Sequence, residues 1–415
     1  MSRRAAGGRP VAPFWLMGMT YALFGMYGGV LVITVPQLLN ARHVPEAVIS
    51  SMTAAMISPG FWTFLASPVL DVRFSRRWYS IVTAVISAVL LSLALINLNH
   101  LVLVEVLLVT GFFFANLYQS ALGGWFASII TTEEENALSV WVTIANISGG
   151  GAMAIIAGEL TQRLSLTTSA VALGVIVLLP IVVVAWIPAP GPDRRLAKES
   201  FGQFFAEVVG VLRQRDVLVA IALFVAPAAT FSLVNLLAGL GSDFHASTHF
   251  VGLVGGAGVV LAGLAGCLIF PMINTLLPLR SLYLAVGLIG SCFTLLLLLL
   301  PLTPTTFAVA LIGENIFQSL SITVSTAISF DTVGRRNPLA ATTYCMMVSS
   351  FNIANMYMLV IDGWGYGWRG VGGSYIVDAA LSLCAIAILA AALGWMGREK
   401  RKRRRRPAKS PDFAG

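Results

Sequence analysis

One carboxylate of the sequence lies deep inside a long apolar segment. At a helical rise of about 1.5 Å per residue, Glu314 lies about 14 Å from the start of a helix predicted over 305–328. The same helical face contains Gln318, Ser321 and Ser325, with Asn315 beside them. Because an ionisable group at this depth is a functional candidate, we expect this face to line a cavity and Glu314 to bind a coupling proton. In the alternative interpretation, Glu314 is neutral or hydrogen-bonded and only ties its helix to a neighbour.

Amide side chains in other apolar segments could complete such a cavity. Polar groups at membrane depth are costly unless they face a cavity or pair with one another. We therefore expect some of these amides to line the cavity and others to hold helices together. The predicted solute-binding residues are Asn116, Gln119, Asn235, Glu314, Asn315, Gln318, Asn352 and Asn355.

Three further acidic residues are weaker candidates. Glu105, Glu159 and Asp378 are each expected about one helical turn from the external surface. They are interpreted mainly as interfacial groups, or as partners of Arg163 or Arg369 across an outer mouth. Glu314 is then the one carboxylate that we expect near the middle of the membrane.

The composition shows what kind of frame must position these groups. The chain has 415 residues, of which 57% are hydrophobic, 11% are charged and 4 are cysteines. An average soluble domain is about 25% charged, so the composition excludes a soluble globular protein, a disordered chain and a disulfide scaffold. The apolar runs are continuous rather than alternating, which also excludes a membrane β-barrel. What remains is an all-α polytopic membrane protein.

Hydropathy and turn signals divide the chain into twelve predicted transmembrane helices. Each is long enough to cross a bilayer, which requires roughly 20 apolar residues. They cover 14–38, 46–70, 78–97, 101–128, 137–160, 167–187, 217–241, 249–273, 281–300, 305–328, 339–361 and 374–396.

The distribution of basic residues predicts the orientation. With a cytoplasmic N-terminus, the outer side contains only Arg42, Arg163 and Arg369 of the 26 basic residues. Cytoplasmic loops are enriched in Lys and Arg, so both termini are expected in the cytoplasm and the protein in the plasma (bacterial inner) membrane. The basic tail after residue 397 is interpreted as an anchor to anionic lipid rather than a nucleic-acid site.

A charged, proline-rich break divides the helices into two sets of six. The predicted parts are a cytoplasmic N-terminus (1–13), an N-terminal half (14–187), a linker (188–216), a C-terminal half (217–396) and a basic tail (397–415). Matches recur at an offset near 200. Asn116-x-Tyr118-Gln119-Ser120 corresponds to Asn315-x-Phe317-Gln318-Ser319. The halves are therefore predicted to be parallel repeats of one six-helix unit.

Two parallel six-helix repeats resemble the major facilitator superfamily (MFS), whose substrate site lies between the halves. More specifically, Phe64-Leu65-Ala66-Ser67-Pro68-Val69-Leu70-Asp71 with Arg76-Arg77 resembles the second-helix signature of the AmpG-like permeases of muropeptides, peptides, acetyl-CoA and siderophores. The segments 336–344 and 363–364 resemble their junction before helix 11 and their exit from helix 11. The charged positions of that group correspond here to Thr63, Gly123, Gly124, Trp125 and Phe126.

This resemblance implies a role for the turn between helices 2 and 3. In the superfamily this turn contains a charge relay that closes the inner face, with its carboxylate near a helix N-terminus, where negative charge is favoured. Carried over to this chain, the cytoplasmic gate consists of Asp71, Arg76 and Arg77. The alternative is that the arginines only determine topology.

The leading hypothesis is a secondary transporter that imports a bulky amphipathic solute, such as a peptidoglycan fragment or a siderophore, by alternating access. No phosphate-binding loop occurs, so direct use of ATP is not expected, which leaves an ion gradient or passive flow. Because of the buried Glu314, a proton gradient is the favoured energy source, and no cofactor or metal is predicted. No catalytic constellation occurs either, and the chain is not expected to be an enzyme. Its expected partners are a small-molecule substrate and the bilayer, and it is expected to act as a monomer. Alternatives are an exporter of drugs or metabolites, and a membrane sensor or scaffold that transports nothing.

Overall fold

The computed structural model describes residues 3–4, 10–72, 74–187, 206, 209–211, 213–334 and 337–405. The predicted linker and the predicted tail lie largely outside these residues. Near the N-terminus, strand β1 (Arg3–Arg4) pairs antiparallel with strand β2 (Pro10–Val11). All other regular structure in the described residues is helical, which confirms the all-α membrane fold.

The described part of the chain contains twelve main helices. The first six are α1 (Phe14–Asn40), α2 (Glu46–Ile57), α3 (Arg76–Ile96), α4 (Leu101–Ile129), α5 (Thr132–Arg163) and α6 (Leu166–Trp186). The next are α7 (Arg215–Val225), α8 (His249–Ile273), α9 (Leu279–Leu297) and α10 (Pro304–Val333). The last helical stretch, Ala340–Arg405, contains α11 (340–368) and α12 (371–405).

Most predicted bounds agree with these helices within a few residues. The start of α5 is an exception with a clear local cause. Thr131 and Glu134 form a capping box, in which each side chain accepts a hydrogen bond from the backbone of the other residue. The helix therefore begins five residues earlier than the prediction of 137.

Two predicted helices are interrupted, because proline lacks a backbone N–H and disrupts a helix interior. The segment predicted over 46–70 ends its first helix at Ile57 and continues as short turns at Pro59–Trp62, Thr63–Leu65 and Ser67–Asp71. The segment predicted over 217–241 ends at Val225, just before Pro227, and resumes as Leu233–Leu237. Residues 226–232 form the α7 break, in which Phe231 has a φ of 52°.

The predicted exit of helix 11 at Gly363-Trp364 is wrong. The helix continues to 368, and non-helical backbone occurs only at Arg369 and Gly370. Gly370 has a φ of 62°, which glycine adopts without a steric penalty. By length and composition, nine helices in the described residues can cross a membrane. Twelve predicted segments become nine because two are interrupted and the last two count as one stretch, Ala340–Met396, across the break at Arg369 and Gly370.

Packing inside the bundle produces two main apolar cores. One consists of residues between 17 and 187, together with Phe330, Val333, Ala340 and Tyr344. The other consists of residues between 211 and 386, together with Val140. Glycines allow helices to pack closely in both cores. A side chain at Gly25 would collide with the backbone of α5, and one at Gly266 with the backbone of α10.

Candidate functional site

A cavity of about 210 Å³ lies where α1, α4 and α5 meet α7, α10 and α11. Its polar lining consists of amides and hydroxyls, its apolar lining includes four aromatic rings, and none of its lining residues is charged. The polar lining residues are Gln119, Thr143, Asn146, Ser325, Thr326, Ser329 and Asn352, and the aromatic ones are Phe24, Phe224, Tyr344 and Phe351.

A second cavity of about 160 Å³ adjoins the first and shares Phe24 and Asn352 with it. It is lined by the broken part of α2, by Asn235 beyond the α7 break and by Asn355 on α11. Asn352 donates a hydrogen bond to the Gly60 carbonyl at 2.9 Å. This amide therefore satisfies a carbonyl near the break in α2 and contributes to the walls of both cavities.

The structure brings four of the eight predicted binding residues to these cavities: Gln119, Asn235, Asn352 and Asn355. The buried side-chain oxygen of Gln119 has no hydrogen-bond partner among the described residues, which leaves it available to a solute. Asn116 and Asn315 are buried but line neither cavity. Each donates to the carbonyl four residues earlier in its own helix, at 2.8 Å.

The predicted polar face of α10 mainly supports the α7 break. Gln318 donates to the Phe231 carbonyl at 3.1 Å, and Ser321 donates to the Ala229 carbonyl at 2.5 Å. Broken membrane helices require such partners because their freed carbonyls have no water to bind. Of this face, Ser325 lines the larger cavity.

Glu314 is fully buried and lines neither of these two cavities. Thr294 on α9 donates to its Oε1 at 2.5 Å, as the alternative interpretation of a helix tie requires. Its Oε2 has no hydrogen-bond partner among the described residues.

Two further carboxylates are buried beside Glu314: Asp378, a weaker candidate from the sequence, and Asp362, for which no role was predicted. Asp362 is fully buried, and Asp378 is 3% exposed. Asp378 interacts electrostatically with both Asp362 and Glu314. The helix predicted over 339–361 ends just before Asp362, whereas the structure continues this helix to 368. Asp378 was expected about one turn from the external surface, as an interfacial group or a partner of Arg163 or Arg369. The Arg369 guanidinium lies 5.9 Å from the centre of the Trp368 ring.

Asp71, in the turn before α3, packs against the start of α11 and accepts five hydrogen bonds. Arg76 donates twice to its Oδ1, at 3.0 and 2.8 Å. The Ala341 and Thr342 amides donate at 3.1 and 2.8 Å, and the Thr342 hydroxyl donates at 2.8 Å. Arg76 also donates to the Pro338 carbonyl at 3.1 Å. This Asp71 cluster joins the turn before α3 to the N-terminus of α11.

Helix α4 also contacts the start of α11. Gly123 packs against the Tyr344 ring and Gly124 against the Ala341 backbone, with no space for a side chain at either glycine. Arg77 is not part of the Asp71 cluster, because it donates instead to the Ala185 carbonyl near the end of α6, at 2.8 Å. Glu159 and Arg163 form an exposed ion pair at 2.7 Å within α5, rather than a pair across an outer mouth.

Two features resemble those expected of the major facilitator superfamily: a cavity between the first six and last six helices, and a charged cluster at the turn between α2 and α3. Comparison with known proteins tests whether the chain belongs to that family. The family model described as Major Facilitator Superfamily matches residues 17–238. The chain belongs to the major facilitator superfamily. As a member, it is a multi-pass membrane protein and a secondary transporter of a small-molecule solute. A comparison with curated protein sequences found no match.

Solved structures show the same MFS fold. A variant of the E. coli fucose:proton symporter FucP has a TM-score of 0.67 at 15% identity, with 91% of this chain and 98% of FucP covered. The proton:xylose symporter XylE, bound to 6-bromo-6-deoxy-D-glucose, has a TM-score of 0.62 at 12% identity, with 91% and 94% covered. A bacterial homologue of the iron transporter ferroportin, in an outward-facing state, has a TM-score of 0.61 at 12% identity, with 91% and 98% covered. At these identities the likeness concerns the fold alone.

Proposed function

We propose that the chain is a proton-coupled importer of an uncharged, hydroxyl-rich organic solute. The observation behind this proposal is the lining of the two adjoining cavities, which combines amides, hydroxyls and aromatic rings without a charged side chain. Amides and hydroxyls can both donate to and accept from solute hydroxyls. Aromatic rings such as Phe24 and Phe351 can cover the apolar faces of a sugar-like ring.

The same lining distinguishes between candidate solutes. A solute with a net charge would lose its hydration in the cavity and find no ionic partner, which is unfavourable. Drug-sized ligand sites usually enclose about 300–1,000 Å³, whereas the larger cavity encloses about 210 Å³. We therefore favour a neutral solute of sugar size over a complete peptidoglycan fragment or a siderophore. The transported solutes named for FucP and XylE are also sugars.

Proton coupling is assigned to Glu314. A carboxylate inside the membrane is costly when ionised, and this one has a single hydrogen-bond donor, Thr294, among the described residues. Its position next to the helices that support the α7 break allows a change of protonation to affect the cavity. Glu314 thus acts on the solute through α7 and does not contact it.

Alternating access requires the two helical sets to separate at each end in turn. We assign the Asp71 cluster as the cytoplasmic gate, since it joins the α2–α3 turn to the start of α11. Asp71 and Arg76 form this gate, and Arg77 only binds the end of α6. The proposal includes the predicted halves, an inner-membrane location with cytoplasmic termini, a monomeric transporter and contact of the basic tail with anionic lipid.

The test is uptake into proteoliposomes with an imposed inward proton gradient. The solutes are radiolabelled neutral mono- and disaccharides, an anhydro-muropeptide and a hydroxamate siderophore. We expect accumulation of a neutral sugar that a protonophore abolishes. In Glu314→Gln we expect accumulation to be lost while exchange of internal for external sugar continues.

The matched control is Glu159→Gln, which removes an exposed carboxylate of the same type. It should leave accumulation unchanged. Accumulation that survives Glu314→Gln contradicts the coupling role, and transport of only the charged solutes contradicts the neutral-solute assignment. Gradient-driven efflux would indicate an exporter, and a folded protein that transports none of the panel would favour a sensor.

A further inference from the structure

We propose that Glu314, Asp362 and Asp378 form a single proton-binding site, the acid cluster, in which the three carboxyl groups share protons. The role of the cluster in transport rests on the proposed proton coupling. The ability of the cluster to bind protons is independent of that proposal. Asp362 and Asp378 thereby become functional residues alongside Glu314.

Several helices converge on the acid cluster. Glu314 comes from α10, Asp362 from α11 and Asp378 from α12. Thr294 on α9 binds Glu314, and Ser232 at the end of the α7 break donates to Asp362 Oδ2 at 2.6 Å. The cluster is therefore a built site in which distant parts of the chain meet.

Each carboxylate of the acid cluster has one oxygen that accepts no hydrogen bond from the described residues. Glu314 Oε2, Asp362 Oδ1 and Asp378 Oδ1 are buried and have no partner among the described residues. The hydroxyl of Tyr375, one turn before Asp378, is also buried without a partner, and Tyr375 interacts electrostatically with Glu314. Buried polar atoms are normally paired. Each carboxylate therefore has a buried oxygen to which a proton can bind.

In the part of the chain that the structure describes, no cation pairs with the three carboxylates. Ion pairs are formed by Asp71, Glu159 and Asp216, and these lie outside the acid cluster. Among the neighbouring titratable groups, Tyr366 donates to Asp243 outside the cluster, and Arg369 contacts Trp368. The described residues also contain no group of acids, histidines or cysteines arranged to hold a metal ion.

Three unbalanced negative charges at this depth would repel one another and lose their hydration. Close buried carboxylates solve this problem by binding protons, as when two carboxylates share one site. Such groups titrate as a unit rather than separately. Removal of one carboxyl group should therefore alter the protonation of the other two.

The α7 break connects the acid cluster to the solute. Ser232 binds Asp362, the neighbouring Phe231 carbonyl accepts from Gln318, and Asn235 lines the smaller cavity. A change in the charge of Asp362 alters the Ser232 bond and so acts on the segment that positions Asn235. This is the physical route from proton binding to solute binding.

The test needs no solute. Wild-type protein is purified in dodecyl maltoside, which has no carbonyl group, and infrared difference spectra are recorded between about pH 7 and higher pH. Exposed acids have a pKa near 4 and are ionised throughout this range. The carbonyl band of protonated carboxyl groups then reports only buried acids. We expect this band in the wild type and expect it to disappear at high pH.

Each of Glu314→Gln, Asp362→Asn and Asp378→Asn should remove one carboxyl group's share of the band and shift the remainder. Glu159→Gln should leave the band unchanged. Absence of the band in wild type overturns the proposal even if a variant fails to fold. The proposal is also overturned if Asp362→Asn and Asp378→Asn leave the band intact. It is overturned as well if the band is lost when sodium chloride replaces choline chloride at constant pH. A band without any transport contradicts the proposed function but not the proton site.

Discussion

Two groups of buried carboxylates in this protein have opposite hydrogen bonding. Asp71 accepts five hydrogen bonds, two of them from the Arg76 guanidinium and two from backbone amides at the N-terminus of α11. In the acid cluster, Glu314 and Asp362 each accept one hydrogen bond from a hydroxyl, and each of the three carboxylates has an oxygen without a partner among the described residues. Both groups are buried, so the difference lies in the donors and not in the burial.

The contrast indicates two different uses of a buried acid. A carboxylate that is fully paired is stable as an anion and acts as a structural contact. A buried carboxylate that has unpaired oxygens and no neighbouring cation is stabilised by binding a proton. Asp71 therefore suits a latch between α2–α3 and α11, and the acid cluster suits reversible protonation. The following substitutions test this difference, in order of decreasing effect on stability.

Asp71→Asn should have the largest effect. The amide places its NH₂ group against either Arg76 or the amides of α11, so the Arg76 charge remains buried without its partner. Breaking a buried ion pair in this way costs about 3–5 kcal/mol. Thermal unfolding in detergent measures the loss. Asp216→Asn is the control because its ion pair with Arg280 is largely exposed and is worth at most about 1 kcal/mol. Equal effects of the two substitutions would contradict the latch.

Gly124→Ala should disturb the same contact sterically. The added methyl group would collide with the Ala341 backbone, and overpacking of this kind costs about 1–3 kcal/mol. We expect a lower unfolding temperature and greater labelling of a cysteine introduced at the start of α11. Gly158→Ala on α5 is the control, since its methyl group meets no atom within 4 Å. An effect of the same size there would show only a general intolerance of alanine.

Ser232→Ala should have a smaller effect on stability, about 1 kcal/mol for one hydrogen bond. Because its hydroxyl is the donor to Asp362, it should also shift the carbonyl band of Asp362. Ser350→Ala is the control, as Ser350 only binds the Met346 carbonyl of its own helix. If neither substitution moves the infrared band, the α7 break is not coupled to the cluster.

Asp378→Asn should have the smallest effect on stability. An amide closely resembles the protonated carboxyl group, so unfolding should change by less than about 1 kcal/mol and in the stabilising direction if charge repulsion is relieved. The same Asp-to-Asn change thus has different consequences at positions 71 and 378. A loss at 378 as large as that at 71 would show that Asp378 is a paired anion.

The internal repeat explains both what sequence comparison within the chain detected and what it missed. The repeat positions Asn116 and Asn315 make the same bond to the carbonyl four residues earlier, as equivalent positions should. Three residues later the equivalence ends. Gln119 lines the larger cavity, whereas Gln318 binds the α7 break. Matching residues therefore predicted matching helices but not matching roles.

The amino-acid sequence alone determined that this chain crosses a membrane through helices, since an 11% charged and 57% hydrophobic composition permits little else. It also identified the helices that provide Glu314, Asp71 and the cavity amides, because hydrophobic spacing is local. Only the tertiary structure showed where α7 breaks, that α11 continues past Asp362, and that three carboxylates meet. Contacts between distant parts of the chain hold these features in place, such as the hydrogen bond from Ser232 to Asp362, 130 positions away. Local hydropathy contains no information about such contacts.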